Sequence, residues 1–270
     1  MPRQEYPSLR QGLVGAWCPS LGASGLSLID RSGRNNHGTL TNMGGQDNWQ
    51  ASGSGLALNF DGVNDYVAIN VVLNGAFTVS VWANRRTAGS FVERILWGNT
   101  ADVDTYIADI TATSVSVQSD NAGTGKGFAG FTFVNNAWFH LIVSRDSGNN
   151  VRVWKDAVES SSGAQAISPV FTLNALGRYA NASGGNAAFQ WDGLIDDVRV
   201  YDRAITLAEI RLLASRRGIG LRPLPDRAAG LPRKLSVNVG GDWRAADAYV
   251  NVGGVWKLGQ ASVNVAGTWR

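Results

Sequence analysis

The sequence predicts an all-β protein: a two-sheet antiparallel sandwich with one short helix, followed by a small module of repeated β-hairpins. Three observations carry that prediction. Gly is abundant, at 33 of 270 residues and with no Gly-X-Y period, and it accompanies many Val, Thr, Trp and Phe. That mixture joins turn formers to strand formers. Apolar and polar residues alternate over short runs bounded by Gly, Asn, Asp and Ser, the pattern of half-buried strands. The last 35 residues hold a gapless threefold repeat.

The sandwich elements can be justified in chain order. Leu56-Ala-Leu-Asn-Phe60 and Tyr66-Val-Ala-Ile69 flank a turn, Asp61-Gly62-Val63-Asn64-Asp65. Phe77-Thr-Val-Ser-Val-Trp82 alternates, with Phe77, Val79 and Val81 on one face. Trp138 to Val143 and Val151 to Trp154 flank the polar loop Arg145-Asp-Ser-Gly-Asn-Asn150 and predict a hairpin. Leu194 to Tyr201 is a further strand. The one helical segment runs from Thr206 to Ser215: Thr206 and Glu209 have capping-box spacing, and Leu207, Ile210, Leu213 and Ala214 share a face. Many short strands with a single late helix predict a sandwich or jelly roll over residues 12–215. Residues 1–11 form an N-terminal arm.

Composition excludes several classes. Hydrophobic residues make up 44% and charged residues 17% of the chain, against about 25% charged in ordinary usage. This is neither a disordered polymer nor a coiled coil. The lone Cys18 allows no internal disulfide. Met1 to Gln11 has charged residues and no apolar stretch, so it does not read as a secretory leader. No run approaches the roughly 18 apolar residues of a membrane span. The expectation is a protein made in a cytoplasm.

Charge is unevenly spread. Residues 1–215 carry 15 Lys+Arg against 18 Asp+Glu, whereas residues 216–234 carry six basic groups and one acid. The basic character belongs to a connector, residues 216–235, which holds Pro223, Pro225 and Pro232 and reads as a semi-rigid spacer. Nucleic acid is therefore not an expected partner of the larger domain.

Beyond the connector, residues 236–270 repeat. Ser236-Val-Asn-Val-Gly-Gly-Asp-Trp-Arg244, Tyr249-Val-Asn-Val-Gly-Gly-Val-Trp-Lys257 and Ser262-Val-Asn-Val-Ala-Gly-Thr-Trp-Arg270 start 13 residues apart. Each Val-Asn-Val reads as a strand, each Gly-Gly or Ala-Gly as a tight turn, and each return arm ends on Trp and a cation. Three such hairpins expose too little chain to bury a core of their own. Trp243, Trp256 and Trp269, with Arg244, Lys257 and Arg270, are accordingly candidate anchoring residues, against the alternative of an appendage that closes on its own domain.

Gly12-Leu-Val-Gly-Ala-Trp17, Asp30-Arg-Ser-Gly-Arg-Asn-Asn-His-Gly38, Leu58 to Val67, Phe77 to Trp82, Ala137-Trp-Phe-His140 and Asp192 to Tyr201 occur in one order along the chain. This series resembles the laminin-G-like, concanavalin A-like lectin/glucanase domains, and the resemblance implies a jelly roll over residues 12–215. The repeats separately resemble short Val-x-Val-Gly-Gly-x-Trp-Lys units of bacteriophage tail and virion proteins.

The first resemblance implies three kinds of site. Many members carry a structural calcium, for which Asp30, Asn36 and Asp196 are the candidate ligands here, with backbone carbonyls completing the shell. Against this stands a plainer reading in which Asp30 caps a turn, His37 bonds within the loop and Asp196 accepts backbone or Trp donors; Arg34 beside the loop favours it. Glycan binding needs exposed rings, and Trp49, Trp97, Tyr106 and Tyr179 lie near loops, whereas Trp17, Trp82 and Trp138 match core positions. A glycosidase needs paired carboxylates. The four glutamates, Glu5, Glu93, Glu159 and Glu209, form no such pair, and Asp102 with Asp104 lacks a Glu partner. Gly123-Thr-Gly-Lys-Gly127 lacks the full phosphate-loop pattern.

The expectation is a non-enzymatic bacteriophage virion protein, a head decoration or tail component on the virion surface. Residues 216–270 would dock it to other virion proteins, as a homo-oligomer that needs no cofactor beyond a structural calcium. The alternatives are a glycan-binding adhesin that contacts the host surface and, third, a glycosidase.

Overall fold

The computed structural model describes residues 6–44, 48–87, 93–100, 103–119, 125–167, 170–178 and 190–221, and the backbone of six short strands between residues 234 and 269. The chain divides into two units, Met1–Arg222 and Pro223–Arg270.

Among the described residues the larger unit contains seventeen strands. They are β1 (Leu13–Trp17), β2 (Ser27–Leu28), β3 (Gly38–Thr41), β4 (Trp49–Ala51), β5 (Leu56–Asp61) and β6 (Tyr66–Asn74). Then come β7 (Phe77–Arg85), β8 (Glu93–Thr100), β9 (Val103–Ile110), β10 (Ser114–Ser119), β11 (Lys126–Ala129) and β12 (Trp138–Arg145). The last five are β13 (Asn150–Lys155), β14 (Val158–Glu159), β15 (Gln165–Ala166), β16 (Val170–Leu176) and β17 (Asp192–Tyr201), followed by helix α1 (Leu207–Ser215). Among the described residues no helix is long and apolar enough to cross a membrane.

Two antiparallel sheets result. One runs β14-β13-β12-β7-β17-β5-β4, with β1 on β17 and β15 on β13; the other runs β11-β10-β9-β8-β16-β6-β3-β2. The expected β12–β13 hairpin is present, with Leu141 opposite Lys155 and Arg145 opposite Val151. Its loop turns on Asp146, whose Oδ1 accepts from the backbone N–H groups of Gly148 and Asn150 at 2.8 and 3.0 Å. The Asp61–Asp65 turn does something different: it carries the chain from one sheet to the other, because β5 and β6 belong to different sheets. The Asp61 carboxylate accepts from the N–H of Val63 at 2.8 Å, and Gly62 supplies φ +74°.

The inner faces of both sheets meet in one core. Phe77, Val79, Val81 and Ala83 of β7 face it with Val67, Ile69, Val71 and Leu73 of β6, as their alternation predicts. Phe77 and Phe171 pack edge to face across the two sheets with centroids 4.9 Å apart. The close approach reaches Gly177, where a Cβ would lie 2.2 Å from Phe60 Cε1 and where φ is +87°.

A second apolar cluster covers the other face of the β7–β12–β17 sheet. Leu9, Leu13, Cys18, Ile142, Trp154 and Tyr201 pack there with Ile210 and Leu213 of α1 and with Ile219 and Leu221. The packed unit thus reaches beyond residues 12–215 at both ends, because Leu9, Ile219 and Leu221 are buried in it. Thr206 caps α1 with the full box: its Oγ1 accepts from the Glu209 N–H and its own N–H donates to Glu209 Oε2 at 2.8 Å. Ile210 and Leu213 are buried as expected, but Leu207 is 46% exposed; the cap, not packing, holds the first turn.

In the smaller unit three two-stranded hairpins are present: β18 (Lys234–Val239) with β19 (Asp242–Asp247), β20 (Tyr249–Val252) with β21 (Val255–Leu258), and β22 (Asn264–Val265) with β23 (Thr268–Trp269). Their register repeats. Asn238, Asn251 and Asn264 stand opposite Trp243, Trp256 and Trp269, and each hairpin leaves two residues for its turn. The side chains of these Trp residues, of Arg244 and Lys257, and all of Arg270 lie outside the described residues.

Candidate functional site

The Asp30–Gly38 loop is held by one carboxylate. Asp30 is buried, and its Oδ1 accepts from the N–H of Ala16 and of Ser32, both at 2.8 Å. Its Oδ2 accepts from the Ser32 hydroxyl at 2.7 Å and the Asn36 N–H at 2.9 Å. The Asp30 N–H donates to His37 Nδ1 at 3.0 Å. Asn36 is fixed again by its Nδ2, which donates to the Val14 carbonyl at 2.7 Å, and by its carbonyl, which accepts the Trp17 indole N–H at 2.8 Å.

Asp196 has a separate environment. It is fully buried in β17, and its Oδ1 accepts from the N–H of Ser20 at 3.1 Å and of Asp197 at 2.8 Å. Its Oδ2 faces Arg217 Nη1 at 3.4 Å. Burial, reinforced by the Asp197 charge, pushes the Asp196 carboxyl up to about 6. Asp197 sits at φ +46° where β17 slips register against β7, and it grips the buried Arg199 through both carboxylate oxygens at 2.7 and 2.8 Å. Gly218 N–H adds a third bond to it at 2.7 Å. Arg217 stacks over Trp138 at 4.0 Å and reaches the Ser52 hydroxyl at 2.8 Å.

These donor sets do not fit a calcium ion. All four hydrogen bonds to the Asp30 carboxylate come from protein groups, and Asp196 faces a guanidinium. No three His, Cys, Asp or Glu side chains converge among the described residues. Asp30, His37 and Asp196 instead take the hydrogen-bonding roles of the plainer reading, with Ser20 and Asp197 as the backbone donors to Asp196.

Of the four expected stacking residues, the two whose side chains are described, Trp49 and Tyr106, belong to different sheets. Tyr106 is 9% exposed, covered beside Ala175 and Tyr66, which leaves little ring for a sugar to stack on and corrects that expectation. Trp97 stands opposite both Tyr106 and Ala175 in the ladder, while its side chain lies outside the described residues. Trp49 belongs to the other sheet, where it is half-buried against the core and donates its indole N–H to Gly25 at 3.0 Å. Tyr179 lies outside the described residues. Of the expected core rings, Trp17 is fully buried, whereas Trp82 and Trp138 are half-buried. Trp82 stacks on His140 and donates to the Leu213 carbonyl at 3.2 Å. His140 is buried, bonded to the Ser80 hydroxyl at 2.8 Å, and burial pushes its pKa down to about 3.

The carboxylates have structural employment. Glu159 pairs with Arg152, and Glu209 caps α1 while binding Arg203 at 2.7 and 3.0 Å. Glu5, Asp102 and the side chains of Glu93 and Asp104 lie outside the described residues. Lys126 opens strand β11 rather than the helix that a phosphate loop leads into.

A site that the sequence pattern did not single out lies along β6. Strand β3 pairs with β6 only from Tyr66 to Ala68, so among the described residues the Asn70–Asn74 edge has no strand beside it on that side. There a cleft of about 370 Å³ is lined by Asn36, Asn70, Val72, Asn74, Ala76 and Asp202 among others. That volume lies in the range of small-molecule sites, about 300–1,000 Å³. Asn70, Asn74 and Asp202 are exposed, Val72 is 55% exposed, and the side chains of these three polar residues bond to no other described residue. Asp202 is braced by Gly12, whose φ is +70° and whose carbonyl accepts the Asp202 N–H at 2.9 Å. The sequence does hold one signal, since Asn70-Val-Val-Leu-Asn74 turns Asn, Val and Asn to the same outer face. That Asn36 and Asp202 join them is a tertiary fact.

Comparison with known proteins gives the lineage of this scaffold. Residues 61–211, more than half of the chain, match the family model of the concanavalin A-like lectin/glucanases superfamily. Domain 4 of AbnA, a GH43 extracellular arabinanase from Geobacillus stearothermophilus, in complex with arabinotriose, is similar with a TM-score of 0.56 at 20% identity, covering 75% of this chain and 98% of that one. A Trypanosoma rangeli sialidase mutant displaying trans-sialidase activity is similar with a TM-score of 0.57 at 15% identity, over 75% of this chain but 32% of that one. At these identities the structural likeness establishes the fold. No curated protein sequence matches the chain. By its matched residues and its two-sheet architecture, the chain belongs to the concanavalin A-like lectin/glucanase superfamily.

Proposed function

We propose that residues 6–221 form a non-catalytic glycan-binding module. The observation that carries this reading is the β6 cleft. It brings together three planar side chains with no hydrogen-bond partner among the described residues, the firmly fixed Asn36, and an exposed Val72. Amides and a carboxylate offer the donors and acceptors that sugar hydroxyls need, and the aliphatic groups suit a C–H face. The family match and the likeness to an arabinanase domain in complex with arabinotriose support the same reading. Against a glycosidase stand Glu159 and Glu209, each committed to an arginine. Screening the full chain on a glycan array that includes arabinotriose tests the proposal: saturable binding weakened by Asn70→Ala supports it, and no binding to any member overturns it.

A second reading concerns the C-terminal unit. Its three hairpins share one register, each with Trp opposite Asn, and this supports their use as a repeated docking device. We infer that they attach the glycan-binding unit to a larger particle, a bacteriophage virion, as a head or tail component displayed on its surface. A chain ending at Arg222 is expected to keep its fold and lose particle association; particles that retain it contradict the docking role.

A further inference from the structure

The β6 cleft has an electrostatic bias and a mechanical support that the general reading does not use. Asp202 is the one charged group lining it, and no Lys, Arg or His shares that lining. Its sequence neighbour Arg203 lies within electrostatic reach of Asp202 but commits its hydrogen bonds to Gln11, Ser8 and both oxygens of Glu209. The lining itself therefore carries a single negative charge, and an incoming carboxylate meets Asp202 with no cation in that lining. A hydroxyl meets a carboxylate that accepts from no other described residue.

Asn36, which shares the lining with Asp202, is locked by three hydrogen bonds: its N–H to Asp30, its Nδ2 to Val14 and its carbonyl from Trp17. Its Oδ1 accepts from no other described residue. Fixed polar groups bind hydroxyls without the entropy cost of ordering a side chain. The Asp30 carboxylate, saturated by four protein donors, thus organises the loop through hydrogen bonds.

We propose that this cleft selects uncharged saccharides over carboxylated ones and does so without a metal ion, with Asp202 as the discriminating group and Asp30 as a positioning residue for Asn36. The proposal rests on the glycan-binding reading and names its ligand class and its metal independence. Sugars bearing a carboxylate, sialic acids and uronic acids, are rejected; neutral pentose and hexose units are accepted.

The test uses the full chain on an array holding neutral oligosaccharides beside sialylated and uronic-acid-containing ones, in calcium chloride and in EDTA. Neutral members are expected to bind equally in both buffers. Asp202→Asn, which keeps the shape and removes the charge, is expected to narrow the preference for neutral over acidic members about fivefold, the size of one exposed charge interaction. Asp30→Asn is expected to weaken neutral-sugar binding at a temperature well below its own melting point, checked by circular dichroism. Preferential binding of acidic members, loss of binding in EDTA, or unchanged selectivity in Asp202→Asn overturns this inference and leaves the glycan-binding reading standing. Absence of binding to every member overturns both.

Discussion

Asp196 gives the sharpest prediction about the fold. Its carboxyl is fully buried beside Asp197, and its pKa rises from the usual 3.8 to about 6. A carboxyl with a higher pKa folded than unfolded keeps its proton in the folded chain. Its contribution favours the fold fully below the unfolded value and is lost as pH rises from about 4 through about 6. The interval corresponds to about 3 kcal/mol. Asp196→Asn removes the titration while keeping an oxygen to accept from Ser20 and Asp197. The new amide faces Arg217, which shifts the difference equally at both pH values and leaves its pH dependence to the wild-type titration. The variant is therefore expected to gain on the wild type by about 2–3 kcal/mol between about pH 4 and about pH 7, or about 4–10 °C in melting temperature for a unit of this size. Thermal unfolding followed by near-ultraviolet circular dichroism at the two pH values measures it. A difference that stays flat with pH, or a variant that falls behind as pH rises, refutes the argument, because the Arg217 contact would then outweigh burial.

Three further outcomes follow from neighbouring geometry. His140 takes its proton only near pH 3 when folded, against 6.5 normally, so its imidazole nitrogens are expected to keep neutral chemical shifts down to about pH 5, and its contribution to stability falls as the pH drops below the unfolded value. Asp30→Ala orphans the N–H groups of Ala16, Ser32 and Asn36 and is expected to cost about 3 kcal/mol in urea unfolding; a loss below about 0.5 kcal/mol contradicts the loop's dependence on that carboxylate. Gly177→Ala drives a Cβ to 2.2 Å from the buried Phe60 ring at φ +87°, and a loss of about 2–5 kcal/mol is expected from overpacking and backbone strain together, read from the same urea curves.

Local chemistry was the legible part of this sequence. The Thr206–Glu209 cap and the β12–β13 hairpin follow from residues within a few positions of one another, and the C-terminal hairpins from their own repeat. What adjacency conceals is which sheet a strand joins. The Asp61–Asp65 turn reads the same whether it closes a hairpin or crosses the sandwich, and it crosses. Asp30 and Asp196 stood out as acids in informative places, but their chemistry is set by distant partners: the Ala16 N–H for one, Ser20 and Arg217 for the other. Rings near loops were expected to be open to sugar, whereas Tyr106 is covered by its neighbours. The cleft escaped because it depends on where a neighbour stops: β3 ends its pairing at Ala68, and among the described residues no strand continues along the rest of that β6 edge.

The account stands most directly on where a sugar touches this molecule. Titrating the isotope-labelled chain with a neutral oligosaccharide that it binds, and following the side-chain amide signals of Asn36, Asn70 and Asn74 by NMR, answers that question. Those three pairs of amide protons are expected to shift together and saturate at one concentration. Shifts confined to residues outside the cleft, with the three asparagines unmoved, contradict the account.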